Sequence, residues 1–339
     1  MDRVRELLAG DDEQRELLRA LGGLLLGIGM VLVFFRRGAT VFDPWGNGAL
    51  FLVLFIPCVF LYGTGFVAAR ATGTTRPWHA VYMVFGTLLL PAALFQLLEW
   101  LGGSTDAPLN VAWIFLLTAV AGKVAALFAG VRYGLLIAGL ATIVAWLAFW
   151  DEALDDGVFG DIGTLRGLLV VVALLLLAGA AGLWRWDRER ALERAGELVT
   201  AAGVAAVAAG GISISAVAGA FTLITPVGEP IGEASLLWDL ELLVVSLLLI
   251  GAGSWLGARG PAYVGTIGLL LFAYIVGLDL DDDSPAGKVL GWPLVLLVLG
   301  TAAFVASFFS GLRLDRLWPD SGDRPPPQPP AFPPAPGQS

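Results

Sequence analysis

The chain has 339 residues, of which 57% are hydrophobic and only 14% charged, with a net charge of −9 and a mean hydropathy of +0.81. This composition excludes an ordinary water-soluble domain, in which about 25% of the residues are charged. The single cysteine, Cys58, excludes an intramolecular disulfide. We therefore expect an all-α integral membrane protein.

Ten apolar stretches are long enough to be membrane spans. A bilayer core of about 30 Å needs about 20 apolar residues per helix. In chain order the predicted spans are 21–35, 49–69, 79–101, 109–131, 133–150, 165–183, 198–223, 234–256, 262–278 and 289–309. Arg36 and Arg37 close the first span where a signal peptide would have a small-residue cleavage site, so we expect it to be an uncleaved helix.

The distribution of basic residues predicts the orientation of these spans. Cytoplasmic loops carry an excess of Lys and Arg. With ten spans and a cytoplasmic N-terminus, 15 of the 20 basic residues face inward. Only Arg36, Arg37, Arg166 and Lys288 face outward, and Lys123 lies within span four. The pattern indicates a multi-pass membrane protein with both termini cytoplasmic. The excess of Arg over Lys, 18 to 2, and the dominance of Ala, Gly and Leu suggest a GC-rich bacterial genome, so we expect a cell inner (plasma) membrane.

The two ends differ from the transmembrane domain, which we place at residues 21–309. Residues 1–20 form a charged cytoplasmic segment, and residues 310–339 form a tail that is rich in proline from Pro325 onward. Such a tail cannot bury a core and is expected to be disordered, with polyproline II character. It is either a solvated tail or a docking site for a protein partner.

An internal repeat is predicted because two apolar stretches, about 127 residues apart, begin and end with similar residues. The segment 130–134 (GVRYG) opens an apolar stretch that closes in Asp151 and Glu152, and 257–261 (GARGP) opens another that closes in acidic residues from Asp279. Spans two to five would then match spans six to nine, as repeats 49–156 and 165–283, with one flanking helix at each end. Both copies would begin on the same side, so their axis of symmetry would lie along the membrane normal.

Glycine and proline interrupt spans three and seven at corresponding places. Pro91 lies in span three, and Gly210, Gly211, Ser213 and Ser215 lie in span seven. Broken helices at matching positions of two repeats often mark transporter sites, because freed carbonyls and hydroxyls can coordinate a polar solute. Helix packing is the alternative, since small residues also allow close approach.

Charged and polar residues within the spans are further candidates for a transport path. Lys123 is an intramembrane cation, which is costly and typical of functional sites, although a lysine can also extend its ammonium to the interface. Gln96, Glu99, Asp239 and Glu241 reach into spans from a predicted outer face that is rich in acidic residues. Glu99 and Glu241 could flank an outer vestibule that concentrates cations.

Catalytic and cofactor motifs are missing from the sequence. The single histidine, His79, excludes bis-His haem and zincin-type helices, and there is no Walker loop, no nucleotide-binding Gly-rich turn and no GxSxG. We therefore expect neither an enzyme nor a cofactor, metal or nucleic-acid site. A lipid-processing enzyme using Glu99, Asp239 or Glu241 is the weakest alternative, because no motif groups these carboxylates.

Arg-flanked Ala/Leu/Gly helices run through most of the chain, as in 190–196 (RALERAG) before span seven and 291–294 (GWPL) at the start of span ten. In this the chain resembles the large set of bacterial predicted polytopic membrane proteins of unknown function. The resemblance implies a membrane location and carries no activity.

These observations lead to two functional hypotheses. The first is a secondary transporter or channel for a small cation or cationic solute, with a path between spans three and seven that Lys123 tunes. The second is a non-transporting scaffold or sensory subunit that binds a protein partner through its cytoplasmic ends.

Overall fold

The computed structural model describes residues 12–38, 45–73, 75–154, 157–159, 161–186, 191–212 and 236–278. In these ranges all regular secondary structure is α-helical, as the sequence predicts. The helices are α1 (Asp12–Gly38), α2 (Asn47–Thr72), α3 (Pro77–Trp100), α4 (Pro108–Phe128), α5 (Gly134–Ala153), α6 (Ile162–Trp186), α7 (Ala191–Gly211), α8 (Leu236–Leu256) and α9 (Arg259–Leu278).

Seven of the described helices are long and apolar enough to cross a membrane. They are α1 to α6 and α8, in the places of predicted spans one to six and eight. A helix is favoured in an apolar solvent because it satisfies its own backbone polar groups. Local signals set the ends: Pro77 and Pro108 stand in the first turns of α3 and α4, and Gly73 ends α2 in the left-handed region, with a φ of 64°.

The remaining predicted spans correspond only in part to described helices. α7 carries Glu193 and Glu197 in its first two turns and ends at Gly211, whereas span seven was predicted to run from 198 to 223; residues 213–223 lie outside the described part. α9 occupies the place of span nine. Span ten also lies outside the described residues. The count of ten therefore stays a prediction.

Two helices differ in detail from the expectation. α3 continues through Pro91, so span three is not broken there. α1 begins at Asp12, so the charged residues 12–20 are the first turns of the helix that contains span one.

The chain divides into two compact units, Met1–Ile275 and Val276–Ser339. The first contains α1 to α8 and most of α9. Of the second, only residues 276–278 at the end of α9 are described.

Within the first unit, small residues allow the helices to approach closely. A Cβ atom on Gly122 of α4 would lie 2.8 Å from the Gly134 carbonyl oxygen of α5, and one on Gly139 of α5 would lie 2.5 Å from the Cβ of Ala201 on α7. In lipid, helix association depends on such close packing, because apolar burial alone gives no advantage over the acyl chains.

The pattern of neighbouring helices recurs after four helices. α1 packs on α2 and α3, α2 on α3, and α3 on α4; in the same order α5 packs on α6 and α7, α6 on α7, and α7 on α8. α4 also packs on α5. α8 approaches α9 closely as well, since a Cβ on Gly253 would lie 2.8 Å from the Cβ of Ala262.

The helices at equivalent places in this pattern also end alike. Gly130 follows α4 and Gly257 follows α8, both in the left-handed region, with φ values of 66° and 62°. These two glycines belong to the paired sequence segments 130–134 and 257–261.

Candidate functional site

Lys123 does not face the interior of the described helices. Its neighbour Gly122 is buried against α5, whereas the Lys123 side chain is exposed on another side of α4. Ser213 and Ser215, which were predicted to share a path with Lys123, lie outside the described residues. Among the described residues, α3 packs mainly on α1, α2 and α4, whereas α7 packs mainly on α5, α6 and α8, so neither helix of the expected path is a main packing partner of the other.

The polar candidates of α3 lie along its second half. Pro91 is partly buried in the continuous helix. Gln96 is 8% exposed, and its Oε1 atom has no hydrogen-bond partner among the described residues. Glu99 accepts a 3.4 Å hydrogen bond from the Thr105 hydroxyl in the α3–α4 loop. The described contacts do not join these residues to a second charged group.

The other candidates meet at the end of the helices where α6 and α8 begin and α7 ends. Arg166 of α6 is only 6% exposed, and its Cζ atom lies 4.8 Å from the ring centroid of Trp238 on α8. The guanidinium also interacts electrostatically with Asp239 and Glu241 of α8. We call Arg166, Trp238, Asp239 and Glu241 the charge cluster.

Gly210 of α7 lies directly beside the charge cluster. A Cβ atom at position 210 would lie 2.5 Å from Oε2 of Glu241 and 2.9 Å from the Cβ of Leu242. That Oε2 atom is buried and has no hydrogen-bond partner among the described residues. Gly211 instead faces α9, because its Cβ would lie 2.6 Å from Cδ2 of Leu271. The two glycines therefore allow α7 to pack closely on both α8 and α9.

Sequence reasoning identified Gly210, Asp239 and Glu241 but missed Arg166 and Trp238. Arg166 was counted only as an outward-facing basic residue at the edge of predicted span six. The signal for its true place is Asp161, whose carboxylate accepts hydrogen bonds from the backbone N–H groups of Gly163 and Thr164 and so caps α6. The helix thus begins at Ile162, and Arg166 lies more than one turn inside it.

The cap itself is outside the spanning segment and has a simple dependence on pH. Hydrogen bonds from the Thr164 side chain and from the backbone N–H groups of Thr164 and Gly163 lower the pKa of the Asp161 carboxyl. Because the pKa is lowered on folding, the stabilising effect of the carboxylate is present at neutral pH. It is lost as the pH falls through the lowered pKa.

A second polar group lies where α4 ends and α5 and α7 begin. Glu197 of α7 accepts hydrogen bonds from the backbone N–H groups of Tyr133 at 2.8 Å, Leu135 at 3.0 Å and Leu136 at 3.2 Å. Arg194 donates a 3.3 Å hydrogen bond to the carbonyl oxygen of Ala126 near the end of α4. We call Arg194 and Glu197 the interhelix clamp, since α7 thereby holds both helices of the α4–α5 hairpin.

Sequence reasoning gave no hint of this clamp. Its two side chains lie 61 to 68 residues along the chain from the groups they bind. Tyr133, the residue before α5, has a φ of 69° and no side-chain cap, so the first N–H groups of α5 need a distant acceptor. Among the described residues no cluster of His, Cys, Asp and Glu could hold a metal ion.

The apolar helices and their exposed outer faces define the class of this protein. Leu248 of α8 is 66% exposed and Ile267 of α9 is 61% exposed, although both lie in apolar helices. Large apolar side chains are favourable on an outer face where lipid replaces water. The chain is therefore a multi-pass α-helical membrane protein. Comparison with protein-family models, with curated proteins and with solved structures gave no match.

Proposed function

We propose that this protein is a secondary transporter or channel for a small cation or cationic solute, and that the charge cluster lies on its path. The observation that carries this proposal is the carboxylate of Glu241, placed inside an apolar helix beside a buried arginine. An ionisable side chain in a membrane helix is costly to keep, and it typically serves an ion or proton pathway. Asp239 and Glu241 supply the negative charge that would attract a cation, and Arg166 holds them in place.

This site replaces the path between spans three and seven as the working hypothesis. The described contacts bring Asp239, Glu241 and Gly210 together with Arg166, but they do not bring Lys123, Pro91 or Gln96 to the same place. On the predicted orientation, the cluster lies at the outer end of α6, α7 and α8. A cation would therefore meet it on entering from outside.

The same proposal includes an architecture of two parallel copies, spans two to five and six to nine. The recurring helix contacts and the left-handed glycines Gly130 and Gly257 support it. The copies would differ in function, because the positions 127 residues before Asp239 and Glu241 are the buried apolar residues Ala112 and Ile114. Only the second copy would then carry the charge cluster.

The transport proposal is tested by electrogenic flux. Purified protein in proteoliposomes is adsorbed on a solid-supported membrane and exposed to jumps of Na⁺, K⁺, H⁺ and guanidinium. We expect one of these cations to produce a current that Glu241→Gln reduces to background, because the amide keeps the shape of the side chain and removes its charge. Asp106→Asn is the matched control: Asp106 is an exposed carboxylate of the α3–α4 loop, outside the cluster, and its loss should leave the current unchanged.

Two outcomes would overturn the proposal. If Glu241→Gln carries the wild-type current, the cluster is not on the path. If the wild-type protein gives no current with any cation, the alternative of a scaffold or sensory subunit takes precedence. That alternative depends on the charged segment 1–20, of which only residues 12–20 are described, and on the Pro-rich tail, which lies outside the described residues. Its test is the recovery of a protein partner with and without residues 321–339.

A further inference from the structure

A basic cavity opens beside the interhelix clamp, at the opposite end of the helices from the charge cluster. It has a volume of about 210 Å³ and lies between the end of α2, the loop that follows it and the end of α4. Arg70 from the last turn of α2 and Arg194 from α7 both line it. None of the described residues that line it is acidic. The carboxylates of Glu193 and Glu197 line a smaller neighbouring cavity of about 20 Å³, which Gly130 and Arg194 also line.

The walls of this cavity are held in place by contacts between distant segments. The hydroxyl of Thr75, in the loop after α2, donates a hydrogen bond to the carbonyl oxygen of Ala129 at the end of α4. Arg194 reaches the same helix end through its bond to the Ala126 carbonyl oxygen. The loop after α2 and the side chain of Arg194 are thus both bonded to the end of α4, so the fold sets the backbone positions of Arg70 and Arg194 around the cavity.

The charge of the cavity favours an anion. The C-terminal ends of α2 and α4 each contribute roughly half a negative charge, and the two guanidinium groups contribute two full positive charges. Arginine presents a planar set of five N–H donors that matches phosphate oxygens well. One donor of Arg194 is used on Ala126, which fixes the orientation of the guanidinium.

The depth of the cavity identifies the source of the phosphate. It lies at the ends of two apolar helices that are long enough to cross a membrane, which is the level of the lipid headgroups. Leu127 and Phe128 also line it and are 43% and 60% exposed, so an apolar surface continues from the basic cavity toward the acyl chains. A ligand with a phosphate at one end and hydrocarbon at the other fits this combination.

We propose that this cavity binds the headgroup of an anionic phospholipid, with Arg70 and Arg194 contacting the phosphate and the acyl chains lying along Leu127 and Phe128. Basic pockets between transmembrane helices at the cytoplasmic side are suited to such headgroups, and the predicted orientation places the cavity there. The proposal is independent of transport, since it concerns the opposite membrane face and different residues.

The test counts lipids on the purified full chain. Delipidated protein in detergent is titrated with phosphatidylglycerol or with phosphatidylcholine of the same acyl chains, and bound lipid is measured by native mass spectrometry. We expect tighter binding of phosphatidylglycerol, weakened about fivefold by Arg70→Gln, since one basic residue near an anionic headgroup contributes about that factor. Arg185→Gln is the matched control, because Arg185 is an exposed arginine at the end of α6 that does not line the cavity.

Three results would overturn the proposal. Equal binding of the two lipids would show that the headgroup is not recognised. Equal losses in Arg70→Gln and Arg185→Gln would show a general effect of surface charge. Displacement of bound phosphatidylglycerol by millimolar inorganic phosphate would show that the cavity takes the free anion. A preference for phosphatidylglycerol supports the site if it persists in phosphate buffer and is weakened by Arg70→Gln but not by Arg185→Gln.

Discussion

At the scale of single residues, the contact between Gly210 and Glu241 places a carboxylate directly against a backbone. A Cβ atom at position 210 would approach Oε2 of Glu241 to 2.5 Å and the Cβ of Leu242 to 2.9 Å, so a larger residue fits here only if both neighbours shift. The orientation of the charged side chain on α8 therefore depends on the absence of a side chain on α7.

The substitution Gly210→Ala tests this dependence. We expect it to lower the free energy of unfolding by about 1–3 kcal/mol, because an added methyl group must displace Glu241 and Leu242 in a packed interface. Thermal unfolding in detergent measures the effect. Gly182→Ala is the matched control, since a Cβ at this helical position of α6 would meet no atom within 4 Å. If both variants unfold at the wild-type temperature, the contact is not tight.

The direction of Lys123 shows what single-residue reasoning from the sequence could and could not give. The tilt of a side chain along a helix is fixed by chirality, but its direction around the helix depends on which face packs. On α4 the buried residues include Ala119, Gly122 and Ala126, a stripe of small residues with helical spacing. Lys123 follows Gly122 and is turned away from that stripe. In a membrane helix small residues, rather than apolar ones, indicate the packed face.

At the scale of helices, the interhelix clamp shows how α5 obtains its N-terminal cap. Both oxygens of Glu197 are used, and three backbone N–H groups are satisfied at once. Tyr133 cannot do this locally, since its side chain makes no cap bond. α5 is therefore stabilised at its start by a helix that follows much later in the chain.

Glu197→Ala should lower the free energy of unfolding by about 1–3 kcal/mol, because it leaves partly buried N–H donors without their acceptor. It should also speed amide hydrogen exchange in the first turn of α5. Glu193→Ala is the control. Glu193 pairs with Arg132 at 3.4 Å, but their side chains are 52% and 66% exposed, and such a pair contributes about 0–1 kcal/mol. Equal effects of the two substitutions would contradict the clamp.

The helices themselves were largely predictable, and their ends were less so. Spans one to six and eight followed from the length of apolar runs alone, because the thickness of a bilayer sets that length. The extension of α1 to Asp12 was not predicted, since a hydropathy window ignores charged residues that continue a helix beyond the membrane. Partners such as Arg166 with Glu241, or Arg194 with Ala126, depend on which helices meet, and hydropathy carries no information on that.

At the scale of the whole molecule, the predicted orientation places the charge cluster outside and the basic cavity in the cytoplasm. Cys58 is buried, so it should not react with an impermeant reagent, and single cysteines can be introduced against a silent background. Ser104 in the α3–α4 loop and Ala71 at the end of α2 are both exposed, and they are predicted to lie on opposite sides of the membrane.

We expect Ser104→Cys to react with an impermeant maleimide in intact cells, and Ala71→Cys to react only after the membrane is opened. Both proteins should label equally in detergent, which controls for local reactivity. The reverse pattern would invert the orientation, and would move the charge cluster to the cytoplasmic face.

The distance in sequence between Glu197 and the helix start that it caps also has a consequence for synthesis. Tyr133 leaves the ribosome 64 residues before Glu197 does. At about 5–20 residues per second, this interval is about 3 to 13 s. During that time the α4–α5 hairpin lacks the carboxylate of Glu197. Water or lipid headgroups must accept hydrogen bonds from the N–H groups at the start of α5. The hairpin reaches its final form only when α7 arrives, so insertion of the early helices and completion of their structure are separate events in the life of this chain.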